Sequence, residues 1–206
     1  MVILASIYLF FLALVFALVE IEIEGKFGWA EKLPTWYRKS GLAKIYTFFN
    51  SKKPLTGYHL FMLLFLLLII HFGFFVGLPW SLSKELEIIT YYILFLTIED
   101  FLWFVFNPNY GLKNFKKNKI WWHYDCKWVL GLFPLNYLSA VLIAILLTYF
   151  SSIIQDNTQF FYYYLISLGI LTLLVLLSVI VLLPIYKKWY FFMRKKDERK
   201  KSNIFH

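Results

Sequence analysis

No lysine or arginine interrupts any of the long apolar runs in this sequence, and charged residues make up only 16% of it. The hydrophobic fraction of 61% excludes an ordinary soluble domain and a disordered chain. The apolar runs are continuous rather than alternating, which argues against a closed β-barrel as the way to cross a bilayer. The composition therefore predicts an all-α integral membrane protein.

Short motifs that would identify a reaction are also missing. A single cysteine, Cys126, excludes an internal disulfide. The sequence contains no phosphate-binding glycine loop, no Gly-x-Ser-x-Gly elbow, no Cys-x-x-Cys and no His-Glu-x-x-His. Any function must therefore be sought in isolated polar residues within the apolar runs.

Continuous apolar runs of about 20 residues are the unit of a transmembrane helix. The sequence holds five of them, and we predict a single bundle over residues 1–206. The predicted spans cover about 1–24, 55–78, 85–106, 129–150 and 159–186, followed by a basic tail at 187–206. Pro134 is predicted to interrupt the fourth span, where neighbouring helices can satisfy the carbonyl that it frees.

The first long connection is basic and aromatic, and it contains an amphipathic pattern. Leu42, Ile45, Tyr46 and Phe49 recur at i, i+3, i+4 and i+7, after Ser40 as a candidate helix cap. This pattern predicts a short helix that lies on the membrane surface.

The basic residues decide both the partner and the orientation. The net charge of +9 would indicate nucleic acid in a soluble protein. Here seven Lys or Arg residues lie in 26–53, five in 113–127 and eight in 187–201, next to the spans. We therefore expect membrane lipids as partners and no nucleic acid. The positive-inside rule then predicts an outer N-terminus and a cytoplasmic C-terminus.

Two adjacent acids in the third span are the main functional signal. Glu99 and Asp100 lie in its second half, where an ionisable side chain costs roughly 2.5–3.5 kcal/mol and normally faces a bundle interior. Their partner must be a histidine, a proton, a bound cation or a basic residue reaching in from a loop. Span order brings other polar residues to the same cytoplasmic end, namely Glu20, Glu24, His59 and His123.

These six residues predict a candidate site. Imidazole and carboxylate together suit Zn, Fe or Mn, so we expect His59, Asp100, Glu99, Glu20, Glu24 and His123 as ligands of a divalent metal. Glu99, Asp100 and His123 are also the candidate catalytic groups. The alternative is that Asp100 only makes hydrogen bonds to His59, Asn107 or a tryptophan and holds helices together.

Three functions stay open from the sequence. The first is a metal-dependent enzyme that acts on a lipid or another hydrophobic substrate. The second is a homo-oligomer that conducts protons or cations through His71 and the Glu99–Asp100 pair. The third is a non-catalytic protein that binds lipid or another membrane protein. The sequence does not fix the oligomeric state.

Overall fold

A computed structural model describes residues 2–50, 52–120, 123 and 126–198, with only the backbone of Phe49. Trp121, Trp122, Tyr124 and Asp125, the aromatic and acidic part of the second basic connection, lie outside the described residues. The last part of the predicted tail, 199–206, lies outside them too.

Within the described residues, five helices are long and apolar enough to cross a membrane. They are α1 (Val2–Glu24), α3 (Gly57–Phe75), α4 (Leu82–Phe106), α5 (Leu135–Gln155) and a continuous helix at Gln159–Lys195. The last consists of α6 (Gln159–Leu177), a π-helical turn at Ser178–Leu182 and α7 (Leu183–Lys195). The prediction of a helical membrane protein with five spans is confirmed to this extent.

The two long connections each contain a small antiparallel strand pair that was not predicted from the sequence. Strand β1 (Tyr37–Arg38) pairs with β2 (Leu55–Thr56), immediately before α3. Strand β3 (Trp128–Val129) pairs with β4 (Phe133–Pro134), immediately before α5. The second pair is a tight hairpin, whereas the first encloses residues 39–54, and each pair ends directly at the start of a long helix.

The predicted boundary of the fourth span is wrong. Residues 128–134 form the second strand pair, and Pro134 stands at the N-cap of α5 instead of interrupting a helix. Proline has no N–H and a fixed φ, so it is tolerated at a helix start, where an interior proline would break the hydrogen-bond ladder. At its other end α5 continues through 151–155, which the sequence analysis assigned to a loop.

The short helix of the first connection is present as α2 (Ala43–Phe49). Its N-cap is Leu42, without a side-chain cap, so the predicted capping role of Ser40 is wrong. Leu42 and Ile45 are largely exposed, as is Phe48 one turn further on. An exposed apolar row of this kind is compatible with the predicted surface position.

Helix α4 lies at the centre of the bundle and packs most extensively on α5 and α1. Half of its apolar window is buried, against 6% for α3. Ala13 and Ala17 of α1 are fully buried, and small residues at this spacing allow a close approach of helices. In contrast, α3 buries only Gly57 and Leu66, so it forms a sparsely packed wall of the bundle.

Polar contacts bring the ends of α1 and α4 together. Helix α1 ends at Gly25, whose φ of +62° is in the left-handed region that favours glycine. The amide of Asn107, at the C-cap of α4, donates a hydrogen bond of 2.7 Å to the Gly25 carbonyl. Tyr110 donates a second of 2.7 Å to the Lys26 carbonyl. These two hydrogen bonds hold the acids of α1 and α4 at the same end of the bundle.

Candidate functional site

A cavity of about 410 Å³ lies among α1, α3, α4 and α5 at this end of the bundle. Five of the six predicted site residues line it, namely Glu20, Glu24, His59, Glu99 and Asp100. The sixth, His123, is buried behind Asp100 and contacts it. All six candidates are therefore brought together.

The site forms because each helix delivers its polar residues at the same level. Glu20 and Glu24 are one helical turn apart and share the cavity face of α1, whereas Glu22 points elsewhere and pairs with Arg194 at 2.7 Å. Glu99 and Asp100 both reach the cavity from α4. This division follows from helix geometry, since residues four apart share a face and residues two apart do not.

Asp100 has the richest set of partners. Tyr137 of α5 donates a short hydrogen bond to Asp100 Oδ2. The Nε2 atom of His123 lies 3.3 Å from the same oxygen. The Asp100 side chain keeps 29% of its surface exposed, toward the cavity that it lines. A carboxylate with these partners is held in place and still accessible from the cavity.

His59 and Glu24 form a second carboxylate–imidazole pair. His59 Nε2 lies 3.8 Å from Glu24 Oε1. On its other side, Nδ1 is hydrogen-bonded to Thr56 Oγ1 at 2.7 Å. That hydroxyl also accepts the backbone N–H of His59 as the N-cap of α3, so its own proton is free to go to Nδ1. This pattern favours an Nε2 proton directed at Glu24.

Lys53 supplies the positive charge that the acids lack. It reaches in from the first basic connection and is only 5% exposed. Burial lowers the pKa of Lys53, while Asp100 and Glu24 oppose that shift because they favour the ammonium form. The basic residue from a loop, one of the four partners considered for Glu99 and Asp100, is therefore present.

Trp29 holds Lys53 and His59 together. Its ring stacks on His59 with 4.2 Å between centroids, and Lys53 Nζ lies 4.1 Å from the ring centre. Its indole N–H donates a 2.9 Å hydrogen bond to the Pro54 carbonyl. Trp29 and Ala30 have φ of +47° and +51°, an unfavourable region for such residues. Strained backbone persists only where surrounding contacts stabilise it, and it clusters at functional sites.

The Glu24 carboxylate stabilises the same strained segment. It accepts the backbone N–H of Ala30, six residues beyond the end of α1. His123, in the second connection, is buried to 99% and burial lowers its pKa, with Lys53 contributing in the same direction. The Sγ atom of Cys126 lies 3.9 Å from His123 Nδ1. The first connection thus lines the cavity at the end of the bundle, and the second packs behind Asp100.

Sequence reasoning missed Lys53, Trp29 and Tyr137. Lys53 is one of seven basic residues in its connection, and Trp29 is one of several aromatic residues there. Tyr137 lies in the first turn of α5, whose start was placed too early. A local signal existed for Lys53, since it immediately precedes Pro54 and the helix that carries His59.

His71 does not belong to the group of residues at the cavity. His71 lies at the opposite end of α3 from His59, where Nε2 is 2.9 Å from Glu85 Oε1. Glu85 precedes Glu99 by fourteen residues, or roughly 21 Å of helix, so His71 is remote from the cavity. Within residues 2–50, 52–120, 123 and 126–198, no group of three or more His, Cys, Asp or Glu side chains is arranged to hold a metal ion.

The assignment of a function depends on this geometry and on the sequence, because no family model, curated protein or solved structure matches this chain.

Proposed function

We propose that this protein is an integral membrane enzyme that performs acid–base chemistry on an amphipathic, membrane-dissolved substrate. One observation carries the proposal: a single cavity brings together two carboxylate–imidazole pairs and a buried lysine. Intramembrane ionisable residues are costly and mark functional sites by default. A cavity with convergent polar groups is where a small molecule binds, and 410 Å³ is within the usual range of such sites.

The cavity is polar at the end of the bundle and apolar toward its middle. On each of the four helices that line it, an apolar residue stands about one turn deeper than the polar one. These deeper residues are Phe16 on α1, Met62 and Leu63 on α3, Leu96 on α4 and Ala140 on α5. One turn is about 5.4 Å. An amphiphile could therefore place its polar end among the acids and its apolar body against the deeper residues.

The side chains suit proton transfer. In this proposal Thr56 orients His59 through Nδ1, and Nε2, which has no hydrogen bond to Glu24 at 3.8 Å, exchanges a proton with the substrate as general acid or base. Asp100 positions the polar group of the substrate, while Tyr137 and His123 hold the Asp100 carboxylate. The ammonium of Lys53 stabilises negative charge that develops during reaction, which is effective in a site of low dielectric.

The divalent metal remains a prediction within this proposal. His59 with Glu24, and His123 with Asp100, each offer one imidazole and one carboxylate. Zn, Fe and Mn accept both ligand types. Lys53 already provides a positive charge beside them, so the acid–base chemistry proposed here does not depend on a metal.

We also propose the orientation with an outer N-terminus and a cytoplasmic C-terminus. It is supported by the distribution of basic residues, since twenty of the 21 Lys and Arg residues lie in the three segments 26–53, 113–127 and 187–201. In this orientation the cavity opens in the cytoplasmic half of the membrane, and the His71–Glu85 pair lies near the outer surface.

The test compares lipid composition in cells that produce the wild-type protein or single variants. We expect at least one lipid or other amphiphile to change in abundance with wild-type protein and to remain unchanged with His59→Ala or Asp100→Asn. Glu87→Gln is the matched control, because Glu87 lies on α4 outside the cavity and bonds to Ser151 and Gln155. Mass spectrometry of extracted membranes gives the measurement.

Two results would overturn the proposal. One is an identical set of amphiphiles in cells with and without the wild-type protein. The other is a change that folded His59→Ala and Asp100→Asn variants still produce. Elemental analysis of the purified wild-type protein, with the same variants, decides the metal prediction separately: metal bound by wild type and lost from both variants would confirm it.

A further inference from the structure

The hydrogen-bonding groups around the cavity are unequally used. Four of its donors are engaged within the protein. The Tyr137 hydroxyl donates to Asp100, the Tyr92 hydroxyl to the Leu63 carbonyl at 3.2 Å, and the Thr97 hydroxyl to the Ile93 carbonyl at 2.9 Å. The indole N–H of Trp29 is bonded to Pro54. An incoming acceptor would therefore find these donors occupied.

An acceptor in the same cavity is not satisfied. Glu99 lines the cavity and is only 7% exposed. The Glu20 carboxyl is within hydrogen-bonding reach of the Glu99 side chain. Even so, Glu99 Oε1 has no hydrogen-bond partner among the residues that the structure describes. A buried polar atom without a partner is unfavourable, so a ligand that donates a hydrogen bond to it gains affinity.

The charge balance points in the same direction. Four carboxyl side chains line the cavity, against the single ammonium of Lys53. That ammonium already lies over the Trp29 ring and interacts with Asp100 and Glu24. Among the described residues that line the cavity, a phosphate or carboxylate head would meet four carboxyl groups and one ammonium. Any ionised carboxylate would repel it, because like charges at short distance in low dielectric repel strongly.

We infer that the cavity selects an amphiphile whose polar end is a hydrogen-bond donor, an ammonium or a hydroxyl group, and that Glu99 is the residue that receives it. This inference rests on the proposed function, since it takes the cavity to be the substrate site. It adds the chemical class of the substrate, which excludes a phosphate or a carboxylate as the polar group that binds at Glu99.

The test uses three probes with the same tail, dodecylamine, dodecanol and dodecyl phosphate. Each is tritiated and equilibrated with full-length protein in phosphatidylcholine nanodiscs, and binding to empty nanodiscs is subtracted. We expect the amine, the alcohol or both to bind in preference to the phosphate. Glu99→Gln should weaken binding of the amine by roughly tenfold or more, the change expected for loss of a charge-assisted hydrogen bond.

Two further variants test whether any loss of binding is specific to Glu99. Glu87→Gln on the same helix should bind as wild type does. Lys53→Gln should retain binding of the amine, so the inference can be tested even if Glu99→Gln does not fold.

The unfavourable outcomes separate the inference from the proposed function. Preferential binding of dodecyl phosphate, lost in Lys53→Gln, would overturn the inference and leave the enzyme proposal standing. If none of the three probes binds above empty nanodiscs, the cavity does not take an amphiphile and both proposals fail.

Discussion

Replacing Asp100 by asparagine should destabilise the protein far more than replacing an exposed acid. The change keeps the shape of the side chain but removes the charge that Tyr137 and His123 contact. A hydrogen bond to a charged group contributes about 1.5–3 kcal/mol and a neutral one about 0.5–1.5 kcal/mol. The two contacts together therefore lose roughly 2–3 kcal/mol. Lys53 also loses one of its counter-charges.

Removing one partner of a buried ion pair costs about 3–5 kcal/mol. The full penalty does not apply to Lys53, because Glu24 and Glu99 remain near it. We therefore expect Asp100→Asn to lower the free energy of unfolding by about 3 kcal/mol in total. Glu22→Gln is the matched control. Its side chain is 50% exposed and pairs with Arg194 at 2.7 Å, so its loss should cost at most about 1 kcal/mol.

The assay is reversible unfolding in mixed micelles or bicelles, with Tyr137→Phe and the double variant included. Tyr137→Phe removes only the hydroxyl that donates to Asp100. The double-mutant cycle should give a coupling energy of about 1–2 kcal/mol, because neighbouring groups in one network are not additive. Equal costs for Asp100→Asn and Glu22→Gln, or a coupling energy near zero, would refute the reasoning.

Four further outcomes follow from the geometry. Burial lowers the pKa of Lys53 below its ordinary 10.5. At pH values between the lowered pKa and 10.5 the unfolded state therefore binds more protons than the folded state, and the free energy of unfolding should rise with pH. Lys53→Met should flatten this rise when unfolding is measured as a function of pH. Gly57→Ala would place a Cβ 2.7 Å from Trp36 Nε1, so it should destabilise the protein by about 1–3 kcal/mol in the same assay, whereas an unchanged stability would mean that this approach is not tight. His71→Ala should leave dodecylamine binding unaltered, because the contact of His71 with Glu85 lies far from the cavity. Proton flux in proteoliposomes should be at background for both wild type and this variant. A wild-type flux that His71→Ala abolishes would favour conduction. For a cytoplasmic C-terminus, a green fluorescent protein fused to it should fluoresce and an alkaline phosphatase fused to it should be inactive. The opposite pair of results would indicate an outer C-terminus.

The membrane spans and the acidic side of the site could be predicted because both depend on local or periodic properties. A helix of about 20 apolar residues is detectable from composition alone. Once the order of spans is known, alternate spans run in opposite directions. The ends of α1 and α4 and the starts of α3 and α5 then share one level. Glu20, Glu24, His59 and Asp100 could be grouped by depth for this reason, without knowledge of which helices are neighbours.

Helix boundaries near proline and short strands were beyond the reach of the same reasoning. The run at 129–150 has no charged residue, so hydropathy does not separate its strand pair from its helix. Backbone pairing between Trp128 and Pro134 decides the boundary, and such pairing depends on a turn whose residues include Leu130 and Gly131 with positive φ. A proline six residues into a supposed span is better interpreted as a helix start when a glycine lies shortly before it.

Glu99 and Asp100 could be recognised in the sequence and Lys53 could not, because the residues that surround them in the sequence differ. Glu99 and Asp100 stand among apolar neighbours, where burial of each charge is costly enough to demand an explanation. Lys53 stands among other basic residues, where a solvated charge at the membrane edge is the ordinary state. Only tertiary structure removes it from water, through β2 pairing with β1 and the stacking of Trp29. A lysine directly before a span whose first turn carries a histidine is therefore the place to seek the missing charge.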